Sequence, residues 1–254
     1  MAELRVGTSG WNYKHWKGLF YPDGVPQKKW LQFYSQTYNT AEVNYSFYRL
    51  PSESTYENWR HNSPSDFLFT LKCSRLITHA RRLNVLGDLW ENFLRNAVIL
   101  EDKLGPILCQ FPESFKIDTG RLHDFLVTAR TAVDHDLVIR LAVEFRHESW
   151  FTSEVYRLLE KHNVALVIAD SGEYPRVDVQ TADFAYYRYH GPTRLFASSY
   201  SRAQMEAEAK KMAKCLRQNI DTFAYFNNDG FGYAIKNSLL LKYLLNDRKS
   251  AKAG

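Results

Sequence analysis

Cysteine is scarce in this chain, and the three present, Cys73, Cys109 and Cys215, are odd in number and far apart. Neither a disulfide framework nor a close-spaced metal cluster is expected from them; two lie in apolar runs that read as strands, which suits reduced core thiols. Long apolar runs are lacking too. Leu239-Leu240-Leu241 and Ala165–Ala169 fall far short of a membrane span. The opening Met1-Ala2-Glu3-Leu4-Arg5 has no apolar stretch, so no secretory signal is expected and a cytoplasmic location follows as an expectation. There is no low-complexity linker, no Gly-rich phosphate fingerprint after the first strand-like run, and no His-x-x-x-His pair.

Aromatic residues, by contrast, are abundant: 16 Tyr, 16 Phe and 6 Trp in 254 residues, or 15 %. Many must fill a core, but several flank polar residues where apolar runs end, as in a pocket for a ring or sugar face. The formal charge of +5 is compatible with anionic partners without requiring them. Of the basic clusters, Lys210-Lys211-Lys214-Arg217 reads as the solvated face of a helix and Arg248-Lys249-Lys252 as a tail. Lys72–Arg82 invites a functional reading.

Strand-like runs recur at Leu4–Thr8, Thr40–Asn44, Phe67–Lys72, Ile107–Phe111, Leu141–Phe145, Ala165–Ala169, Ala185–Tyr189 and Thr222–Phe226. Helical periodicity lies between most of them: Lys28–Tyr38, Glu53–Asn62, Asp88–Leu104, Arg121–Val133, Thr152–His162, Ser201–Asn219 and Ala234–Leu245. Ser52 before Glu53, and Thr152 or Ser153 before Glu154, are helix start signals. Eight strands alternating with helices predict a single (β/α)8 TIM-like barrel with parallel strands, as one domain over 1–246 with a disordered basic tail at 247–254. One crossover differs. Residues 171–182, SGEYPRVDVQTA, have no helical period and contain Pro175, so the sixth helix is expected to be missing or reduced to a turn. An open doubly wound sheet is the alternative.

A barrel carries its chemistry at the carboxyl ends of its strands. Here those ends hold Ser9-Gly10-Trp11-Asn12-Tyr13; Glu42 and Asn44; Lys72; Gln110; Glu144, Arg146 and His147; Asp170; Arg188 and His190; and Asn227-Asn228-Asp229. Asn12, Asp170 and Asn228 also suit plain caps and turns. Glu42 and Arg188 are embedded among apolar neighbours, where an unpaired charge costs several kcal/mol, so a buried ion pair is the bland reading. Two histidines and two glutamates suit acid–base work. The same donors suit a divalent metal, but Lys72, Arg146 and Arg188 would repel one, and no cofactor is expected. The glycines of Phe226–Tyr233, ahead of the last helix, suit an anion site or simply a tight turn.

These residues also carry a likeness. The stretches Gly7–Tyr13 with Trp16, Thr40–Pro51, Ile77-Thr78-His79, Leu104-Gly105-Pro106, Gln110-Phe111-Pro112, Glu144–Trp150, Tyr189-His190-Gly191 and Phe226-Asn227-Asn228 resemble the YecE-like proteins, a domain of unknown function. The resemblance spans nearly the whole chain. It implies a TIM barrel and marks Glu42, Asn44, Lys72, Gln110, Glu144, Arg146, His147, His190 and Asn227 as signature positions, but it brings no reaction with it.

The residues then lead to two expectations. The first is an enzyme acting on a small polar, anionic substrate, a sugar or phosphate-bearing molecule. Glu42, Glu144, His147 and His190 would supply acid–base catalysis. Lys72, Arg146 and Arg188 would bind the anion, with Asn44, Gln110, Asp170, Asn227 and Asn228 as polar contacts and Trp11, Tyr13, Trp16, Phe47 and Tyr48 as walls. The rival is a nucleic-acid-binding or nuclease-like barrel, built on Lys72, Arg75, His79, Arg81 and Arg82 with aromatics for base stacking. No membrane partner is expected in either case.

Overall fold

A computed structural model describes residues 2–131 and 139–250. It divides into two compact units, each built on a parallel sheet: one comprises Met1–Ala41, Ile168–Arg176 and Asp183–Gly254, the other Glu42–Val167 and Val177–Ala182. The strands are β1 (Leu4–Thr8), β2 (Thr40–Val43), β3 (Leu68–Lys72), β4 (Leu104–Gln110), β5 (Leu141–Glu144), β6 (Ala165–Leu166), β7 (Ile168–Asp170), β8 (Phe184–Tyr189) and β9 (Asp221–Phe226). The helices are α1 (Trp30–Tyr34), α2 (Tyr45–Tyr48), α3 (Glu53–His61), α4 (Leu89–Ala97), α5 (Thr119–Thr131), α6 (Ser153–Lys161), α7 (Arg202–Arg217) and α8 (Tyr233–Ser250). Among the described residues the eight expected runs thus become nine strands, in sheets ordered β1-β9-β8-β7 and β2-β3-β4-β5-β6.

The ninth strand arises at Val167. Ala165 and Leu166 pair with β5, whereas Ile168–Asp170 pair with β8. A uniformly apolar run reports burial but not which neighbour it bonds, so the sequence shows no break there. Among the described residues no helix joins β7 to β8, as the aperiodic stretch around Pro175 foretold.

In the first unit, period-two alternation sorts the sheet. Ala185, Tyr187 and Tyr189 of β8, with Ala224 and Phe226 of β9, pack against Met205, Ala209 and Met212 of α7 and Leu241 and Leu244 of α8. Arg188 lies on the opposite face of its strand. Helix α7 starts with a full capping box, in which Ser201 accepts from Gln204 N–H and Gln204 returns the bond to Ser201 N–H. Helix α8 runs to Ser250, so residues 247–250 of the expected disordered tail are helical, and 251–254 lie outside the described residues.

In the second unit, β4 begins at Leu104, three residues earlier than expected, because Gly105-Pro106 is absorbed by a register shift. Phe69 pairs with Leu104 but Leu71 with Ile107, so an extra residue bulges from β4 where proline has no N–H to give. A Cβ on Gly105 would lie 3.2 Å from Phe69 O, so that close approach favours glycine. The helix expected over Asp88–Leu104 gives way after Ala97 to a tighter 3-10 segment, where Glu101 leaves helical geometry at φ +50°. Ser52 precedes α3, but its hydroxyl bonds Ser54 and Thr55 hydroxyls rather than capping the helix. Thr152 does cap α6, accepting from Val155 N–H. Residues 132 and 133 of the helix expected over Arg121–Val133 lie outside the described residues.

Among the described residues no helix is long and apolar enough to cross a membrane.

Candidate functional site

In the second unit the charged residues collect where the strands stop. Gln110 and Glu144 are side-by-side partners on β4 and β5, and the alternation that exposes them to one face puts Lys72 of β3 on that face too. Glu42 and Glu144 are 0 % and 1 % exposed. Glu144 Oε1 accepts from Arg146 Nε at 3.1 Å, an ion pair made two residues along the same chain. Gln110 turns its amide back on the backbone, donating to Phe111 O at 2.8 Å. Lys72 is held from behind: Ser46, at the start of α2, donates to Lys72 O at 2.7 Å.

Phe47 of α2 sits between two of these groups. Lys72 Nζ stands 4.1 Å from the ring centroid, a cation–π contact, and the His79 ring meets the same phenyl edge-on at 4.9 Å. His79 lies on a five-residue π-helical turn, Leu76–Ala80. Such turns are uncommon and often mark functional positions. Burial, then the charges of Lys72, Arg146 and Arg75, push the imidazole down to about 4, with only Glu144 pulling the other way. In the sequence His79 reads as part of the basic stretch of the nucleic-acid-binding alternative and not as one of the acid–base residues.

The remaining candidates of this unit are placed differently. His147 starts a short 3-10 turn, its Nδ1 accepting from Ser149 N–H at 3.1 Å, so it serves at least as a cap. Asn44 precedes α2, and Tyr48 is 71 % exposed. Behind the strand ends lies a stack of rings, with Phe145 and Trp150 parallel at 4.4 Å and Phe111 stacked on Phe145 at 5.5 Å. Cys73, just past β3, and Cys109 of β4 are buried neighbours on the other face, and burial with their mutual contact pushes the Cys73 thiol well up, which makes it an inert core thiol.

The first unit has a polar set of its own. Ser9, Asn227 and His190 continue the sheet past its strands, donating backbone N–H to Phe226, Tyr189 and Asp170 respectively. Arg188 is 1 % exposed, and its Nη1 lies 3.4 Å from His190 Nε2. The other ring nitrogen of His190 faces the Asn227 amide at 3.2 Å. Asp170 is ion-paired with Arg176, which also grips Glu208 of α7 through two bonds at 2.8 and 3.0 Å. Tyr189 donates to the same Glu208 at 2.8 Å. This network ties the helix-free crossover to α7, which gives Asp170 a structural duty that the sequence did not show. Asn228, fully buried, donates to Ser198 O and Asn237 Oδ1, again holding loops.

Trp11 and Tyr13 belong to this unit. Tyr13 donates to Ser9 O at 2.6 Å, and the Trp11 carbonyl accepts from Tyr21. Tyr13 also meets the Trp16 ring at 4.9 Å. Trp16 is fully buried and donates from Nε1 to Asp229 Oδ1 at 2.6 Å, while His15 Nε2 faces the other oxygen of that carboxylate at 2.9 Å. Burial raises the Asp229 carboxyl, and His15 and Trp16 oppose the shift. Among the described residues, no three of His, Cys, Asp and Glu are gathered closely enough to hold a metal ion.

Comparison with known proteins agrees over the chain's length. Residues 5–253 match the profile of a family described as "Protein of unknown function DUF72". UPF0759 protein YunF of Bacillus subtilis is 23 % identical over 281 aligned residues, covering 98 % of this chain and 97 % of that one. UPF0759 protein YecE of Escherichia coli is 27 % identical over 174, covering 66 % of this chain and 59 % of that one. The crystal structure of a DUF72 family protein from Thermotoga maritima superposes with a TM-score of 0.84 at 30 % identity, over 96 % of this chain and 99 % of that one. Another, from Enterococcus faecalis, gives 0.80 at 19 %, over 96 % and 95 %.

Proposed function

Because the chain belongs to the DUF72 family, whose description assigns no reaction, we propose a function from its own residues: an enzyme that uses acid–base chemistry on a small polar, anionic substrate. The observation that carries this reading is the surroundings of His79. Burial, then the charges of Lys72, Arg146 and Arg75, lower the pKa of one half-buried imidazole, with Glu144 acting the other way. Cations gathered in a partly desolvated place attract an anion more strongly than the same charges would in water. Lys72 and Arg146 are the anion-binding residues of this reading. Glu144, held in orientation by Arg146, is the group that exchanges a proton with substrate, with Glu42 buried on β2 as its companion carboxylate. Gln110, in register with Glu144, orients a hydroxyl.

Arg188, His190 and Asn227 are a second set of groups able to engage substrate, and His147 keeps its Nε2 for the same purpose. The eight-stranded barrel expected from the sequence belongs to this proposal as well, supported by parallel pairing within each sheet.

A binding screen tests the reading. Calorimetry with sugar phosphates and small carboxylates is expected to find a ligand, and Lys72→Met to weaken it by about tenfold or more, the value of one charge-assisted hydrogen bond. Glu144→Gln is expected to keep that binding while abolishing turnover. A full panel without binding would sink the reading.

One observation favours a second reading. Tyr45 and Tyr48 are exposed on α2, and Arg49, Arg75, Arg81 and Arg82 are exposed as well, the combination of rings and cations that holds single-stranded nucleic acid. Affinity for an oligonucleotide that falls steeply with added salt would support it.

A further inference from the structure

We infer that the first unit carries a hydrolytic site of its own, in which His15 and Asp229 activate water against an uncharged ester with an apolar acyl group. It shares no residue with the anionic-substrate reading and does not depend on it. His15 lies on the loop that leaves β1, and Asp229 on the loop that leaves β9. These strands pair in parallel, with Thr8 opposite Phe226, so both loops leave the same carboxyl edge. Ligands of α/β sheets bind outside that edge.

The hydrogen bonds fix which nitrogen of His15 is available. Nε2 faces two oxygens of Asp229, Oδ2 at 2.9 Å and the backbone carbonyl at 3.3 Å. A carbonyl only accepts, so Nε2 carries the proton and Nδ1 keeps the lone pair. Among the described residues no hydrogen bond reaches Nδ1, and the half-exposed side chain leaves the ring open to water. Asp229 is held in place, because the fully buried Trp16 indole donates to its other oxygen at 2.6 Å. That bond alone ties the two loops together, so a purely structural role would not call for an exposed imidazole as well. Burial raises the Asp229 carboxyl, which marks a carboxylate that water solvates poorly. Such a group gains most from a cation beside it, and the imidazolium formed when Nδ1 takes a proton is that cation.

The same two loops carry the apolar groups that choose the substrate. Leu19 is 65 % exposed and Phe231 76 %, and Leu19 Cδ1 lies 3.1 Å from where a Cβ on Gly232 would stand. Phe231 holds φ at +61°, in the left-handed region that bulky residues avoid. Two backbone bonds pin its turn, Gly230 N–H to Phe196 O at 2.8 Å and Gly232 N–H to Asp229 O at 3.0 Å. The turn that delivers the carboxylate thus also holds a phenyl ring out in water, and strain kept in this way gathers at functional sites. Leu19 and Phe231 cover the acyl chain. In the step, water attacks the acyl carbon while Nδ1 takes one of its protons, so a C–O and an N–H bond form as an O–H bond breaks. The tetrahedral oxyanion then expels the alcohol oxygen, which takes the proton from Nδ1. Acid and alcohol leave, and the neutral ring is restored. An alcohol oxygen departs more readily than an amine, which suits a site whose base and acid are one imidazole.

The probes are 4-nitrophenyl acetate and 4-nitrophenyl butyrate, offered to the native chain at about pH 8. Repeated turnover is expected, with the butyrate favoured in kcat/KM by about threefold or more for its two extra methylenes. His15→Gln is expected to lower kcat/KM about a hundredfold, the worth of a general base. Asp229→Asn is expected to lower kcat by a similar factor with KM little changed, because its amide draws the lone pair away from Nδ1. Phe231→Ala is expected to erase the preference for butyrate. His61→Gln, at an exposed histidine of α3, is expected to change nothing. Diethyl pyrocarbonate on the native protein gives a readout that needs no variant: label at His15, located by mass spectrometry, is expected to rise in step with loss of turnover. Turnover that survives His15→Gln, falls as far with His61→Gln, or is lost while His15 stays unlabelled overturns the site. Native kcat in Asp229→Asn overturns the dyad, and equal use of the two esters overturns the apolar subsite. No turnover by the native protein removes this inference and leaves the anion-binding reading to its own calorimetric test.

Discussion

Arg188 Nη1 lies 3.4 Å from His190 Nε2, two residues along the same run of chain. A guanidinium offers no acceptor, so Nε2 must present its lone pair and the neutral ring carries its proton on Nδ1. Asn227, 3.2 Å from Nδ1, then meets that proton with its amide oxygen, since the two ends of an amide are told apart only by their partners. Arg188→Ala removes both the donor and the volume of a side chain that is 1 % exposed. The expected loss is about 3 kcal/mol of stability, within the range for emptying a buried site. Urea unfolding at neutral pH measures it, and a loss below about 1 kcal/mol would place Arg188 outside the buried network.

His79 makes stability depend on pH. Its folded pKa of about 4 is below the ordinary 6.5, so the unfolded chain binds the proton first. Stability from this group is complete above about 6.5 and is lost as pH falls toward 4. His79→Gln should flatten the slope of unfolding free energy between those values and change little above them. An unchanged slope would mean that the ring titrates normally in the folded protein.

Gly7 has no room for a methyl group. A Cβ there would lie 2.3 Å from Thr40 O, a backbone atom that also accepts from the buried Tyr34 hydroxyl. Gly7→Ala must push β1 and the start of β2 apart, and we expect a cost of about 3 kcal/mol or more, at the severe end for a single substitution. Thermal unfolding decides it: a melting temperature within a few degrees of the native value contradicts the close approach.

Asp229→Asn tests the carboxylate shared by Trp16 and His15. The indole only donates, so the new amide must keep its oxygen toward Trp16 and turn its NH2 toward His15 Nε2. The neutral His15 ring should then change tautomer, from Nε2–H to Nδ1–H. Long-range nitrogen–proton spectra of His15 give the answer directly. An unaltered tautomer would show that the Asp229 carbonyl, 3.3 Å from Nε2, and not the carboxylate is what holds that proton.

How much of this was legible in the sequence depends on what hydrophobicity can report. It reports burial well, and so the strands, the missing helix near Pro175 and the embedded charges Glu42 and Arg188 were visible. It says nothing of partners. The break at Val167, the register shift at Gly105-Pro106 and the capture of Asp170 by Arg176 each depend on which neighbour a backbone or carboxylate meets, and none leaves a periodic mark. The signature positions were legible through the family likeness, but their duties were not. His147 reads as a catalytic candidate and also serves as a cap. His79 reads as one cation in a basic stretch, yet burial, with the cations around it, pushes its pKa down to about 4, a property of the assembled site that no run of residues displays.

The stack of Phe111, Phe145 and Trp150 has a bearing on how readily this protein can change. Phe145 lies between Glu144 and Arg146 in the chain, and its ring stacks on both Phe111 and Trp150, which also lie against each other. The main chain at that point therefore takes its position from rings rather than from the ion pair beside it. Removing one of the two charges leaves the other buried and unpaired, so a change of specificity at this point has to alter Glu144 and Arg146 together.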